Sequence, residues 1–349
     1  MANEEVEEEF NFDSPLEKVS SLLKATTSPS PGASTTTTTT TIPSPIPISG
    51  VFGYLSMIPT FAWVVLFGIT FYLYNLWANQ EAVLYHPVIP GLPYKTTESN
   101  PDPYKSPASP PWNLNFENVA LQAADGVKLH AWMIKAPLDS TRAPTIVFFH
   151  ANAGNIGFRL PLAKSFVDGV NCNVFMLEYR GYGNSEGIPS EDGIVLDASA
   201  AMKWIEENAN AGKLNAKRVF LFGQSLGGAV AIQTAVNHPH AIAGVILENT
   251  FTSISDLVDR LLPFVAPFKK YLLRLKWKSI EFIANIKAPI FFISGLKDEI
   301  VHPSLMLALK EKAIGSIKST WFEVADGTHN DSFIKGGGPL LLAIKAFVL

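Results

Sequence analysis

Residues 218–228 read RVFLFGQSLGG: an apolar, β-prone run at 219–222 that stops at a serine set between glycines. The residues that follow, 229–236 (AVAIQTAV), have the small apolar side chains of a helix packed on a sheet. Gly223-Gln224-Ser225-Leu226-Gly227 fits G-x-S-x-G, in which glycines leave room for a sharp strand-to-helix corner that lifts the serine hydroxyl out of the sheet. Such a serine also sits at a helix N-terminus, where unpaired backbone N–H groups can stabilise an oxyanion. An N-cap serine in an ordinary tight turn would spell the same five residues. The partners elsewhere in the chain decide between the two.

Outward from that corner the chain alternates. Residues 119–134 (VALQAADGVKLHAWMI) form two alternating strands around the hairpin signal Asp125-Gly126. Strand-like runs follow at 145–150, 172–178, 219–222, 244–248, 289–294 and 320–324, continuous in apolar character as strands buried on both faces are. Helical stretches fall at about 157–168, 191–209, 226–237, 303–314 and 339–348. A hairpin followed by repeated β-α units predicts an α/β fold with a mostly parallel, doubly wound sheet. The insert at 251–287 breaks the spacing and predicts a small helical cap.

In open α/β sheets ligands bind beyond the carboxyl ends of the strands, so the residue just after each strand is where chemistry is expected. Ser225 follows one strand, Asp298 the run PIFFISG, and His329 the run TWFEV. The order Ser…Asp…His is that of the α/β-hydrolase arrangement. It predicts an acyl-enzyme mechanism: Ser225 attacks a carbonyl, His329 takes and returns the proton, and Asp298 fixes the imidazole tautomer. The backbone N–H groups of Leu226 and of Asn152, which follows the strand 145–150, form the predicted oxyanion hole. Glu299 is a rival acid, set further into its turn, whereas Asp326 and Asp331 lie too close to His329 in sequence to orient its far nitrogen. His86, His130, His238, His240 and His302 read as surface or packing residues, and His150 as a structural one bonded to its own turn. Arg180, in the turn RGYG, reads as packing its loop.

Composition bounds the rest. With 47% hydrophobic residues in 349, the chain has material for a sizeable core, and a net charge of −4 gives no reason to expect nucleic-acid binding. One cysteine, Cys172, excludes an internal disulfide and a CxxC metal site. Neither a metal nor an organic cofactor is implied. Residues 1–50 open with EEVEEEF and continue through Pro, Ser and a threonine run, a composition of disorder, with a short amphipathic helix at 16–23 too brief to stand alone. No charged residue occurs between Lys24 and Glu81, and 51–77 is overwhelmingly apolar with Tyr and Trp near its ends. That predicts one transmembrane helix at 51–77, for which roughly 20 apolar residues suffice. Residues 78–113, rich in proline and turn formers, read as a linker, and 114–349 as the catalytic domain.

The segments HANAGNIGFRLP, LEYRGYGNSEG, FGQSLGGAVAI, ENTF, ISGLKDE and DGTHND resemble the bud-emergence family of α/β-hydrolases. The likeness runs from about residue 82 to the C-terminus, with an anchor upstream. It implies an α/β-hydrolase fold, carries the family's nucleophile, acid and base onto Ser225, Asp298 and His329, and implies a membrane-associated serine hydrolase. Related proteins remove palmitate from cysteine thioesters, so the resemblance also implies membrane lipids or lipidated proteins as substrates, at the endoplasmic reticulum or plasma membrane. Two positions depart from the family's pattern: Ala151 stands where glycine is usual and Gln224 where arginine is usual. Neither removes a catalytic group. A non-catalytic, membrane-anchored scaffold on the same fold is the alternative, which an intact triad argues against. The sequon Asn330-Asp331-Ser332 adjoins His329, and a glycan there would crowd the site, so it is unused or the domain faces the cytosol.

Overall fold

The computed structural model describes residues 48–349, and of 48–59 and 76 the backbone alone. The expected disordered tail, up to residue 47, and the expected helix at 16–23 lie outside the described residues. The chain divides into two compact units, one ending at Asn79 and the other spanning Gln80–Leu349.

The first unit contains α1 (Ile48–Ala78), 31 residues without a charge, which begins inside the stretch read as tail. Its described side chains Phe61, Trp63, Phe67, Phe71 and Tyr72 are exposed. Among the described residues no helix is long and apolar enough to cross a membrane. The stretch 51–77 is helical, lying within the continuous α1, but the transmembrane span expected there is not seen among the described residues.

The second unit is built on an eight-stranded sheet in the order β1-β2-β4-β3-β5-β6-β7-β8. The strands are β1 (Phe116–Gln122), β2 (Lys128–Ile134), β3 (Thr145–Phe149), β4 (Asn173–Leu177), β5 (Val219–Gln224), β6 (Gly244–Glu248), β7 (Ile290–Gly295) and β8 (Ser319–Val324). β1 and β2 form the expected hairpin, paired Phe116↔Ile134 through Gln122↔Lys128, with Gly126 at φ +89 in its turn. β2 also runs antiparallel to β4, and every later pairing is parallel. Every residue of β3 to β7 is buried, which is why these strands read as unbroken apolar runs.

Helices cover both faces. On one side α2 (Leu160–Val170) and α7 (Ser332–Val348) bury Phe166, Val167, Leu340 and Ile344 against Phe148, Phe222 and Phe291. On the other, α3 (Glu191–Asn210) and α4 (Leu226–Asn237) bury Ile194, Met202, Ala229 and Ile232 against Val147, Leu221 and Leu247. α6 (Pro303–Lys312) follows β7 and adds Met306 and Leu309 to that second core. The last helix starts earlier than the expected 339–348: Gly337, at φ +50, breaks it, and Pro339 opens the second piece where a missing N–H costs nothing.

The stretch read as a linker is packed onto this unit. Tyr85, Thr97 and Asn100 are buried, and the Asn100 and Asn155 carboxamides exchange two hydrogen bonds of 2.8 Å. Between β6 and β7 the chain inserts α5 (Ile254–Leu261) and short helical turns at Ala266–Phe268, Lys269–Leu272 and Ser279–Phe282. Arg180, as expected, is structural: its guanidinium is shared between Asp197 (2.8 Å) and Asp125 (2.6 Å), tying the loop after β4 to α3 and to the hairpin.

Candidate active site

Ser225 occupies the corner between β5 and α4 at φ +54, ψ −118, a region that residues other than glycine rarely take. Such strain persists only where its surroundings over-determine it. Here the Ser225 N–H donates to the Glu248 carbonyl (2.9 Å), while the Ser225 carbonyl accepts from the Thr250 hydroxyl (2.7 Å) and the Gly228 N–H (2.9 Å). The two glycines of the motif are required by close approach. A Cβ on Gly223 would meet the Gly227 carbonyl oxygen at 2.2 Å, and one on Gly227 would meet that of Phe149 at 2.0 Å.

The three residues expected from separate strand ends are brought together. The Ser225 hydroxyl lies 2.9 Å from His329 Nε2, and His329 Nδ1 lies 2.8 Å from Asp298 Oδ2. The other Asp298 oxygen accepts the backbone N–H groups of Ile300 (2.9 Å) and Val301 (2.8 Å), so both oxygens are held and one is aimed. Asp298 is buried, whereas the rival Glu299 is exposed. Asp331 is engaged elsewhere, accepting the Thr328 N–H (2.6 Å) and pairing with Lys335 (2.8 Å).

The loop after β3 lies against the first turn of α4, as the Gly227 contact with Phe149 requires. Its Asn152 side chain is held by the fold: Oδ1 accepts from the Tyr182 hydroxyl (2.9 Å) and the His86 N–H (3.3 Å), and Nδ2 donates to the Leu84 carbonyl. Its backbone N–H is the group expected in the oxyanion hole. Among the described residues neither that N–H nor the one of Leu226 makes a hydrogen bond within the chain. His150 is structural as expected, its Nδ1 2.7 Å from the Ala151 carbonyl oxygen and its ring stacked on Tyr179 at 4.1 Å. Burial drives its pKa down to about 3, so the imidazole is neutral. Ser332 of the sequon is buried, with its hydroxyl donating to the Thr328 carbonyl (2.7 Å).

Two residues of β6 and its loop were not singled out by the sequence. Asn249, at φ +44, sits where the histidine and acid loops meet. Its Nδ2 donates to the carbonyls of Thr328 (3.0 Å) and His329 (3.2 Å) and to the Ser332 hydroxyl (2.9 Å), and its Oδ1 accepts the Gly295 N–H (2.8 Å). A polar residue just past a buried strand, on the rim where ligands bind, was the available signal. Glu248, the last residue of β6, is fully buried, and its carboxyl oxygens have no hydrogen-bond partner among the described residues. Burial pushes that carboxyl up to about 8, with the nearby Asp298 charge adding to the effect. Among the described residues no group of three or more His, Cys, Asp or Glu side chains is arranged to hold a metal ion.

The arrangement can move a proton between a hydroxyl and an imidazole held by a buried carboxylate, beside two free N–H groups. Known proteins with related sequences and folds agree with a hydrolase. The family model described as serine aminopeptidase, S33, matches residues 140–283. The α/β-hydrolase domain-containing protein WAV2 of Arabidopsis thaliana is 43% identical over 272 residues, covering 74% of this chain and 84% of the plant protein. Protein bem46 of Schizosaccharomyces pombe is 38% identical over 263 residues, 75% of this chain and 84% of its own. An uncharacterized membrane protein of Saccharomyces cerevisiae is 38% identical over 64% of this chain and 77% of its own. Among solved structures, an esterase of Pyrococcus furiosus superposes with a TM-score of 0.56 at 21% identity, covering 67% of this chain and 90% of its own, a likeness of fold.

Proposed function

The chain belongs to the bud-emergence family of α/β-hydrolases and is a serine hydrolase, and on that premise we propose that it is a membrane-anchored enzyme cleaving carboxylic esters or thioesters through an acyl-enzyme on Ser225. The observation that carries the proposal is the unbroken hydrogen-bonded line from Asp298 through His329 to the strained Ser225. In the proposed reaction His329 Nε2 removes the hydroxyl proton as Ser225 Oγ attacks the acyl carbon. The Leu226 and Asn152 N–H groups stabilise the oxyanion, the alkoxide or thiolate leaves with the proton returned by His329, and water then releases the acid by the same route. Asp298, aimed by the Ile300 and Val301 N–H groups, holds the tautomer and stabilises the imidazolium.

The proposed substrates are lipid esters or S-acylated proteins, palmitoyl thioesters among them. What supports this is the uninterrupted uncharged segment 51–77, which in this proposal is the single membrane anchor. A tethered site meets lipidic substrates at high effective concentration. The name of the Saccharomyces cerevisiae relative, a membrane protein, points the same way.

The test is a fluorophosphonate probe on the purified full chain and on Ser225→Ala, read by intact mass. One adduct on the wild type and none on the variant is the expected result. Labelling of neither folded protein would favour the scaffold alternative. An adducted enzyme that releases amines from peptides but no acid from acyl-cysteine peptides or lipid esters would favour an aminopeptidase, the activity named in the matching family model's description.

A further inference from the structure

The cap has a face that the hydrolytic site does not use. Between residues 261 and 278 the sequence LLPFVAPFKKYLLRLKWK carries Lys269, Lys270, Arg274, Lys276 and Lys278 and no acidic side chain, in a chain whose net charge is −4. Its inner side is seated. Leu275 and Trp277 are buried, the Trp277 indole N–H donates to the Tyr85 hydroxyl (3.0 Å), and the Lys276 and Trp277 N–H groups donate to the Glu191 carboxylate (2.8 and 2.9 Å). Its outer side is open: Phe264, Phe268 and Tyr271 are 65%, 60% and 76% exposed. Phe268 and Tyr271 fall in the consecutive turns Ala266–Phe268 and Lys269–Leu272, and Phe264 lies in the turn just before them, so the three exposed rings fall within eight residues. The Lys270 ammonium stands 6.0 Å from the centre of the Tyr271 ring, and Lys276 is exposed nearby in the sequence.

Clustered exposed rings mark an interaction surface rather than ordinary solvent-facing chain. Aromatic rings favour the headgroup region of a bilayer, and lysines beside them favour anionic lipid. What favours lipid over an acidic protein is the place where the chain enters this unit. Gln80, its first residue, is bound to the cap backbone: its carboxamide donates to the Leu272 carbonyl and accepts the Arg274 N–H (2.8 Å), and Glu81 pairs with Arg274. The uncharged α1 ends at Ala78. Through Gln80, chain connectivity alone therefore ties the cap to whatever holds that segment.

We infer that the cap face formed by Phe264, Phe268 and Tyr271, with Lys270 and Lys276, docks on an anionic lipid surface and so fixes how the hydrolase unit meets membrane-borne acyl groups. The inference rests on the anchored-hydrolase reading. The rings enter the headgroup layer while the ammonium groups stay with the phosphates, as amphipathic interfacial segments do.

The experiment uses the full chain in vesicles of phosphatidylcholine with or without phosphatidylserine, containing nitroxide-bearing lipids. An environment-sensitive dye is attached through Tyr271→Cys or, as a control, through Ile314→Cys on another exposed position; the native Cys172 is buried. In vesicles with phosphatidylserine the dye at 271 shifts to the blue and is quenched, while the dye at 314 is not. Lys270→Glu with Lys276→Glu lowers the docked-to-undocked ratio about ten-fold or more. Phe268→Ser with Tyr271→Ser slows turnover of a vesicle-borne ester but not of a soluble short-chain ester. If the chain floats with the vesicles after an alkaline wash and the dye at 271 stays unquenched, docking is wrong and the anchor stands. If it does not float, both fall. A blue shift without quenching means that a second copy covers the face, and equal quenching without phosphatidylserine removes the anionic requirement; either overturns the inference as stated.

Discussion

The nucleophile corner and the cap sit one strand apart in sequence and are built on opposite terms. At the corner every residue from Val219 to Leu226 is buried, both glycines are forced by close approach, and the Ser225 backbone is pinned by Glu248, Thr250 and Gly228. Across the cap the chain breaks into short turns and loops, burying Leu275 and Trp277 and leaving Phe264, Phe268 and Tyr271 in solvent. The difference separates two tasks. Chemistry needs the reacting atoms held to within a fraction of an ångström, which buried packing supplies. Meeting a surface of variable composition needs exposed area that the fold itself does not require.

The sharpest way to break the comparison is at the corner. Ser225→Ala removes the oxygen proposed to attack and leaves the packing intact, so kcat is expected to fall by roughly 10⁴-fold or more while the melting temperature hardly moves. A variant retaining measurable acyl-enzyme would show another nucleophile. Gly227→Ala acts on structure instead, because its Cβ would lie 2.0 Å from the Phe149 carbonyl oxygen, which is sheet backbone and cannot swing away. Expected is a loss of about 3 kcal/mol or more in urea unfolding, with activity lost in parallel. Wild-type stability in that variant would mean that the corner relaxes more freely than its contacts imply.

A step further from the reacting atoms, Asn249 acts through the loops it joins. Its donors hold the Thr328 and His329 carbonyls and its acceptor holds the start of the acid loop at Gly295. Asn249→Asp keeps the size and the tolerance of positive φ, but loses the donors. The expected result is a 10- to 100-fold fall in kcat, roughly, with KM nearly unchanged, measured well below the melting temperature. A purely structural role would instead lower the melting temperature and spare kcat of the folded fraction.

Glu248 gives a smaller effect, visible only in its pH dependence. Its folded pKa, about 8, lies above the ordinary value of 4.5 because burial penalises the charge. The buried, protonated carboxyl therefore contributes stability that is complete below about pH 4.5 and is lost as pH rises through 8. Glu248→Gln imitates the protonated form and removes this loss. Its stability carries no such decline between about pH 4.5 and 8, the window in which the wild type loses an amount on the order of a few kcal/mol. Parallel stability curves for the two proteins would mean that Glu248 already ionises at neutral pH.

The sheet and the line Ser225, Asp298, His329 were legible because strand periodicity marks where each strand ends, and in this fold the chemistry stands at those ends. Asn249 was not legible, since its role depends on a juxtaposition of β6, β7 and β8 that no local pattern encodes. Glu248 closes an apolar run, and nothing in the letters says how deeply its carboxyl is buried. The segment 78–113 read as a linker because proline and turn residues look alike whether solvated or packed, and it takes tertiary contacts such as the Asn100–Asn155 pairing and the Tyr85–Trp277 bond to reveal the packing. At the C-terminus, the turn beginning at Ser332 was missed because three consecutive glycines, Gly336 to Gly338, look like a break, while only Gly337 takes a positive φ.

The smallest expected effect returns to the cap. Phe268 is 60% exposed, and its replacement by serine removes apolar area that is already in water, so little transfer free energy is at stake. Phe268→Ser is expected to change the unfolding free energy of the detergent-solubilised chain by within about 0.5 kcal/mol, as exposed substitutions usually do. The same truncation at Phe222, buried between Phe148 and Phe166 beneath the corner, removes fully buried area and leaves a cavity, at a cost of about 3–5 kcal/mol for Phe222→Ala. The ratio of these two numbers measures how far the cap is spared from holding the fold together. A cost at Phe268 approaching that at Phe222 would mean that the ring packs against the protein in solution, and the cap would then belong to the core and not to a surface the molecule presents.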